Sequence, residues 1–252
     1  MRCAIHQPQF MPWLGYLNKI ALADVFVFLD HVQFKKNEYQ NRNRIRTPGG
    51  WMWLTVPVRF HFGDPIHDVQ PAAGEPWRRK VLTAISTSYG KAPYYREYRD
   101  SLHELIDRPW RDLAQLNEAT VRWLCDAFGL ETAFETASAL PQTRREPTRR
   151  LIDLCRHLGC DTYLSGKDGP HYMDTGAFDE EGLDLHLQHF EHPAYPQVVA
   201  GAEQEFEPCM SALDLLFNAG PERGRELIVG SGTAKPYRKE AAYESAGHRG
   251  SS

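Results

Sequence analysis

Long apolar runs are missing from this chain. Nothing in its 252 residues approaches the roughly 18 apolar residues in a row of a membrane-crossing helix, so no membrane span is expected. An excess of basic residues is missing as well. The formal net charge is −4, which disfavours nonspecific binding to DNA. Cysteine is scarce and unpatterned: Cys3, Cys125, Cys155, Cys160 and Cys209 include no C-x-x-C pair and no Cys/His cluster. That argues for reduced, mostly buried thiols and against zinc. H-E-x-x-H, Walker A, G-x-G-x-x-G and G-x-S-x-G are all absent, so no metal ligand is assigned and a serine-hydrolase reading is poor. The chain opens on a strand-like segment rather than a basic then apolar leader, so a cytoplasmic location is expected.

What is present is an alternation of strand and helix patterns. Residues 2–6 form a short apolar run ending in polar groups. Leu14, Leu17, Ile20 and Ala21 recur at helical spacing, and Val25 to Leu29 is a continuous apolar run ending at Asp30. Strand, loop, helix and strand within about thirty residues make a βαβ unit. Thr47-Pro48-Gly49-Gly50 is a turn, and the aromatic and β-branched stretch from Trp51 to Val58 reads as a third strand. Three helices are predicted across 77–128, then a short strand at Ala133–Thr136, a helix over 147–158 and a strand at Thr162–Leu164. A helix at Gly176–Glu181, a strand at Leu183–Phe190 and helices near 209–218 and 221–229 follow. The expected fold is α/β: a mostly parallel, Rossmann-like sheet flanked by helices, with a helical insertion or cap at about 77–128. One domain is expected over 1–235, with a disordered polar tail over 236–252.

In open α/β sheets ligands sit outside the carboxyl ends of the strands. Three segments put polar groups there: His6-Gln7-Pro8-Gln9, Asp30-His31-Val32-Gln33 and Ser165-Gly166-Lys167-Asp168-Gly169. His6 is a candidate general base or phosphate donor, or else a structural histidine. Asp30 is a candidate base or hydroxyl acceptor, or else a turn carboxylate. In an extended segment side chains alternate, so Asn41 and Asn43 share one face and Arg42 and Arg44 the other. Two arginines on one face suit a phosphate or carboxylate; two asparagines suit hydroxyls or an amide. Ser165-Gly166 could cradle an anion with backbone N–H groups, or be a plain strand-to-helix turn. His192, Tyr195 and Gln197 follow a later strand and are candidate substrate contacts, with Gln7, Gln9, Tyr16 and Gln33 completing the set.

Several motifs together resemble the WbqC-like proteins. They are Ile5-His6-Gln7-Pro8, Pro12-Trp13-Leu14-Gly15-Tyr16, Asp30-His31-Val32-Gln33-Phe34 and Gln40-Asn41-Arg42-Asn43-Arg44-Ile45. Trp51 to Val58, Ser88-Tyr89-Gly90-Lys91, Tyr163-Leu164-Ser165-Gly166, Tyr195-Pro196-Gln197 and Ser211 to Asn218 extend the likeness over roughly residues 3–230. This chain departs from the pattern at His31, where the family often has a second Asp, and at Asp168, where it often has a second glycine. The resemblance implies a role in bacterial surface-polysaccharide or natural-product biosynthesis, with amide formation on an amino sugar or other small amine as the natural reaction.

On that implication the expected activity is acyl or aminoacyl (glycyl-type) transfer. His6 or Asp30 would deprotonate the amine and Asn41 or Asn43 would stabilise the oxyanion. No cofactor is demanded by any motif. The donor candidates are an acyl-carrier or CoA thioester, an aminoacyl-tRNA, and an acyl-adenylate made from ATP with magnesium, so a carrier protein or tRNA is a candidate partner. Two alternatives stand beside this one. The first βαβ unit resembles that of HIGH-type nucleotidyltransferases, although the H-x-G-H tetrad is missing and only Gly15-Tyr16 stands near its place. A non-catalytic binding protein of a biosynthetic complex fits the lack of an established catalytic motif.

Overall fold

A computed structural model describes residues 1–73 and 76–238. In chain order its strands and helices are β1 (Arg2–His6), α1 (Leu14–Ala21), β2 (Val25–Phe28), β3 (Arg42–Thr47), β4 (Gly50–Thr55), β5 (Val58–Arg59), β6 (Gln70–Pro71), α2 (Trp77–Tyr89), α3 (Tyr95–Asp107) and α4 (Leu113–Phe128). There follow β7 (Ala133–Thr136), α5 (Pro147–His157), β8 (Thr162–Ser165), α6 (Gly176–Glu180), β9 (Asp184–Phe190), β10 (Gln197–Val199), β11 (Ala202–Gln204), α7 (Ala212–Gly230) and β12 (Gly232–Pro236).

Six strands form the main sheet in the order β12-β9-β8-β1-β2-β7. All neighbours are parallel except the edge pair β12 and β9. Renumbered along the chain, these six strands lie in the order 3-2-1-4-5-6 of a doubly wound Rossmann-like sheet. The strand order reverses between β1 and β8. The central strands are buried on both faces, which is why they read as apolar runs without polar alternation. Cys3, Ile5, Val25, Val27 and Tyr163 pack on one side with α5 and α6. Ala4, Phe26, Phe28 and Leu164 pack on the other with α1, α4 and α7.

The chain leaves the sheet after Phe28 and returns at Ala133. The excursion holds the three predicted helices, α2 to α4, but it begins earlier than they do. It also carries two small antiparallel pairs, β3–β4 and β5–β6. Trp51 to Thr55 is the expected strand, but it lies outside the main sheet: β4 pairs only with β3, through the Pro48-Gly49 turn that joins Thr47 to Gly50, and Val58 begins β5. α1 starts after Trp13. The Trp13 indole folds over Gly15, where a Cβ would overlap it, so the close approach requires glycine. The last helix is broken at Gly220 (φ +76°), beside Pro221, as two separate helical patterns predicted. Of the expected tail, residues 239–252 lie outside the described residues. Pro236 ends β12, and Tyr237 donates its N–H to Leu185 O at 2.7 Å.

Candidate active site

The loop leaving β1 is held from several sides. Tyr16, buried on α1, donates its hydroxyl to Gln7 O at 3.1 Å and meets the His6 ring edge-on at 5.0 Å. Gln40 Nε2 donates to Gln7 Oε1 at 2.8 Å. Asn117, on α4, donates to Pro8 O (3.1 Å) and Gln40 O (2.7 Å), and Met11 N donates to Thr120 Oγ1 at 3.3 Å. These ties hold buried Met11 at φ +44°, a conformation that a non-glycine residue rarely adopts. Gln9 is buried with its Oε1 unpartnered among the described residues.

His6 is half-buried. Its Nδ1 lies 3.1 Å from Gln7 O. A carbonyl only accepts, so Nδ1 carries the proton and Nε2 keeps its lone pair. Burial, joined by the Lys19 ammonium, lowers its pKa to about 4, so the ring is neutral near pH 7. Lys19 is buried itself, donates to Ile5 O at 3.0 Å, and is brought down by burial to about 8.

Asp30 follows the neighbouring strand β2 and is buried. It accepts from Ser138 N at 2.9 Å and Ser138 Oγ at 2.5 Å. His67 Nδ1 is 3.5 Å and His31 Nδ1 3.8 Å from its oxygens. Burial alone would raise its pKa, but the adjacent His31 imidazole, the two hydrogen bonds from Ser138 and the nearby His67 outweigh it and hold the carboxyl below its ordinary value. Asp30 therefore stays ionised.

Asp30 opens onto a cavity of about 510 Å³ between the ends of β2 and β7, α4 and the 64–70 segment. Four carboxyl groups (Asp30, Asp68, Asp112, Glu118) and one guanidinium (Arg111) line it, with His67, Gln70, Gln115, Thr136 and Ser138. Asp112 caps α4 by accepting from Gln115 N at 2.8 Å and pairs with Arg111 at 3.0 Å. Glu118 accepts from Thr136 Oγ1 at 2.9 Å. Burial pushes Glu118 up to about 7, with the Asp30 charge adding to the rise. Glu118 is thereby poised to exchange a proton near neutrality. Asp112, Gln115 and Glu118 share one helix face. That polar stripe was the only signal in the sequence for Glu118.

The β3–β4 hairpin has the predicted alternation. Asn43 is fully buried and donates to Phe10 O at 3.2 Å, and its Oδ1 accepts from Arg44 N. Asn41 donates to Val56 O at 3.1 Å and accepts from Asn37 N. Both amides are thus committed to backbone. Arg42 and Arg44 lie on the other face, over Trp53 and Trp51.

Other predicted residues lie apart from the cavity walls. Gln33 is exposed and bridges to Pro65. Ser165 is buried at the end of β8, and a Cβ at Gly169 would overlap its Oγ. Gly166 has open space where a Cβ would stand. Tyr195 and Gln197 are buried and converge on Asp214 Oδ2 at 2.8 and 2.7 Å. His192 places Nδ1 2.9 Å from Pro193 O and accepts from Cys209 N at Nε2, 3.1 Å, so both ring nitrogens are in use. All five cysteines are free, and Cys3 is buried with its thiol pKa pushed up. Among the described residues no group of three or more His, Cys, Asp or Glu side chains could hold a metal ion. No helix there is long and apolar enough to cross a membrane.

No solved structure matches this chain. A curated relative, "Uncharacterized protein Rv1507c" of Mycobacterium tuberculosis (strain ATCC 25618 / H37Rv), is 32% identical over 231 residues. The match covers 88% of this chain and 95% of that protein. Residues 7–226, which include the β1 loop, the cavity walls and the hairpin, match the model of the WbqC-like protein family. With a family match over most of its length and a relative this similar, the chain belongs to the WbqC-like protein family.

Proposed function

We propose that this protein is an acyl or aminoacyl transferase that forms an amide on a small amine, with an amino sugar of polysaccharide or natural-product biosynthesis as the acceptor. The observation that carries this reading is the acidic cavity beside Asp30, with Glu118 balanced near pH 7 in its wall. An amine arrives as an ammonium ion, and four carboxyl groups against one guanidinium favour it. Ionised Asp30 holds the ammonium, and Glu118 as carboxylate takes its proton. The freed lone pair attacks the acyl carbon, the C–N bond forms and the C–S or C–O bond to the carrier breaks. The proton on Glu118 passes to the departing thiolate or alkoxide, and the second proton that the nitrogen sheds as the amide forms is taken by the regenerated Glu118 carboxylate and released to solvent. The side-chain amides of Gln70 and Gln115 face the same space and are the candidate oxyanion donors, since Asn41 and Asn43 hold backbone. His6, neutral with Nε2 free at the next strand end, is the second candidate base. The donor is a carrier-protein or CoA thioester or an aminoacyl-tRNA.

The test is a transfer assay with thioester and aminoacyl-tRNA donors and a panel of amino sugars. The expected rate rises with pH through about 7, as a carboxylate base requires. Glu118→Gln should lower kcat/KM by about 100-fold and flatten that limb. A Glu118→Gln protein with the wild-type rate and pH profile would remove Glu118 as the base. Magnesium-dependent release of pyrophosphate from ATP, without any acyl donor, would favour a nucleotide-dependent ligase instead, a reading that the Rossmann-like strand order also supports.

A further inference from the structure

We propose that the outer face of the β3–β4 hairpin binds a nucleotide, its base against the tryptophans and its phosphates on Arg42 and Arg44. This rests on the transferase reading and would make the hairpin the docking place of the donor's nucleotide portion.

Alternation along β3 and the register with β4 put Arg42, Arg44 and Arg46 on one face with Trp51, Trp53 and Thr55. The three arginines are not equivalent. Arg46 is buried and gives its guanidinium to the carbonyls of Thr47, Gly50 and Glu205. Arg42 and Arg44 make no ion pair and no side-chain hydrogen bond among the described residues, and the Nε of each is buried without a partner. Each sits instead over the tryptophan diagonal to it across the hairpin: Arg42 at 4.0 Å from the Trp53 ring centre, Arg44 at 5.1 Å from that of Trp51. Trp51 is 41% exposed, and its ring meets Trp53 edge-on at 5.4 Å. Tyr39 adds a third aromatic ring, 6.1 Å from Trp53.

Half-desolvated guanidiniums without an anion and an indole left open to solvent are costly features for a fold to keep. Together they complement one class of ligand. Guanidinium forks hold phosphate oxygens, and aromatic and guanidinium planes stack on a base. A carboxylate or a bare phosphate would use the arginines and leave the indoles idle. The two arginines stand one strand repeat of about 6.7 Å apart, so each can grip its own pair of oxygens. The opposite face of the hairpin is pinned to the β1 loop, because Asn43 donates to Phe10 O and Phe10 N to Tyr39 O. A nucleotide is part of CoA and of the acceptor end of a tRNA alike. The chemistry is shared and only the source differs.

The test is equilibrium binding to the full-length protein. The probes are AMP, CoA, a short single-stranded RNA ending in CCA, ribose 5-phosphate and adenosine. AMP should bind at least tenfold more tightly than ribose 5-phosphate or adenosine, and Arg42→Gln/Arg44→Gln and Trp51→Ala should each weaken it tenfold or more. Trp51 is partly exposed, so the Trp51→Ala protein is expected to keep the wild-type far-ultraviolet circular dichroism and cooperative thermal unfolding and so reports on binding rather than folding. Tighter binding of CoA than of the RNA supports a free nucleotide donor; the reverse order supports an RNA-borne one. Ribose 5-phosphate binding as tightly as AMP, affinity unchanged in both variants, or no saturable nucleotide binding up to millimolar concentration would each overturn the proposal. The amide-forming reading would survive any of these, because the Glu118→Gln assay tests it separately.

Discussion

Two buried aspartates in this protein have opposite surroundings. Asp214 is closed in: Tyr195 and Gln197 donate to it, Gln197 also spans to Glu207 O, and Asn218 ties the same turn to Val198 N. Burial drives its pKa up even against the hydrogen bonds from Tyr195 and Gln197, the nearby Tyr89 hydroxyl and the Arg46 charge. Asp30 is equally inaccessible, yet it opens onto a cavity, and the adjacent His31 ring and the hydrogen bonds from Ser138 hold its pKa down. The first arrangement fastens the 195–207 segment to α7. The second keeps a negative charge in place beside a space that a ligand can enter. Density of polar residues does not separate the two roles; what separates them is whether the polar groups are used up within the chain.

The sharpest way to break this contrast is to remove Asp214. Asp214→Ala leaves the Tyr195 hydroxyl and one of the two Gln197 amide N–H groups unpaired in the interior, at about 1–3 kcal/mol each, and leaves a cavity where the carboxyl stood. The expected loss is about 3–5 kcal/mol in a denaturant titration. A loss below about 1 kcal/mol would mean that Asp214 is not a fastening point.

Asn43 should behave like Asp214, on a smaller scale. Asn43→Ala orphans the buried Phe10 carbonyl and the Arg44 N–H, for about 1–3 kcal/mol. If Asn43 acts only as a pin, transferase activity measured well below the melting temperature should stay within a few-fold of wild type. A 100-fold loss of kcat in a folded Asn43→Ala protein would instead return Asn43 to the oxyanion role.

The pH dependence of stability distinguishes the two candidate bases. Glu118 has a folded pKa near 7 against 4.5 when free. The folded state keeps a proton that the unfolded chain has released, so this contribution is full below about 4.5 and is lost as pH rises through 7. His6 runs the other way: its pKa falls from 6.5 to about 4, so stability rises with pH across that interval. For half-buried Glu118 the span is about 1–2 kcal/mol once solvent screening is allowed for. Chemical denaturation of Glu118→Gln between pH 4 and 8 should unmask the rise due to His6. An unchanged profile would mean that Glu118 is not perturbed by the cavity.

Much of the fold was legible in the sequence because its central strands are buried on both faces. Val25 to Phe28 and Thr162 to Leu164 could be little else, and the predicted helices from 77 to 230 appear close to their expected limits. The strands β10, β11 and β12 were not legible. Ala202-Glu203-Gln204 and Gly232 to Pro236 carry no apolar period, and they become strands through pairing, the first in a tight hairpin with β10 and the second against distant β9. The polar strand ends at His6 and Asp30 were legible for the same topological reason. Glu118 was not, since a carboxylate in mid-helix reads as solvated until the 64–70 segment folds over it. Tyr195 and Gln197 looked like binding residues because a motif rich in hydrogen-bonding groups has the same composition whether it faces a ligand or Asp214.

The smallest effect addresses the charge on Asp30 directly. Ser138→Ala deletes the hydroxyl donor and leaves the Ser138 backbone N–H in place, so Asp30 loses one of its two short hydrogen bonds. At pH 7 the expected cost is about 1 kcal/mol. A carboxylate held below its free pKa contributes stability that is present above that free value, 3.8, and is lost as pH falls through the folded one. The gap between wild type and Ser138→Ala should therefore be constant from pH 5 to 7 and close on further acidification. For Asp214, whose pKa is raised, Tyr195→Phe should give no such closing gap at low pH. If the Ser138→Ala gap stayed open at pH 2.5, the hydroxyl would be supporting the backbone rather than the Asp30 charge, and the distinction between the two aspartates would fail at its electrostatic step.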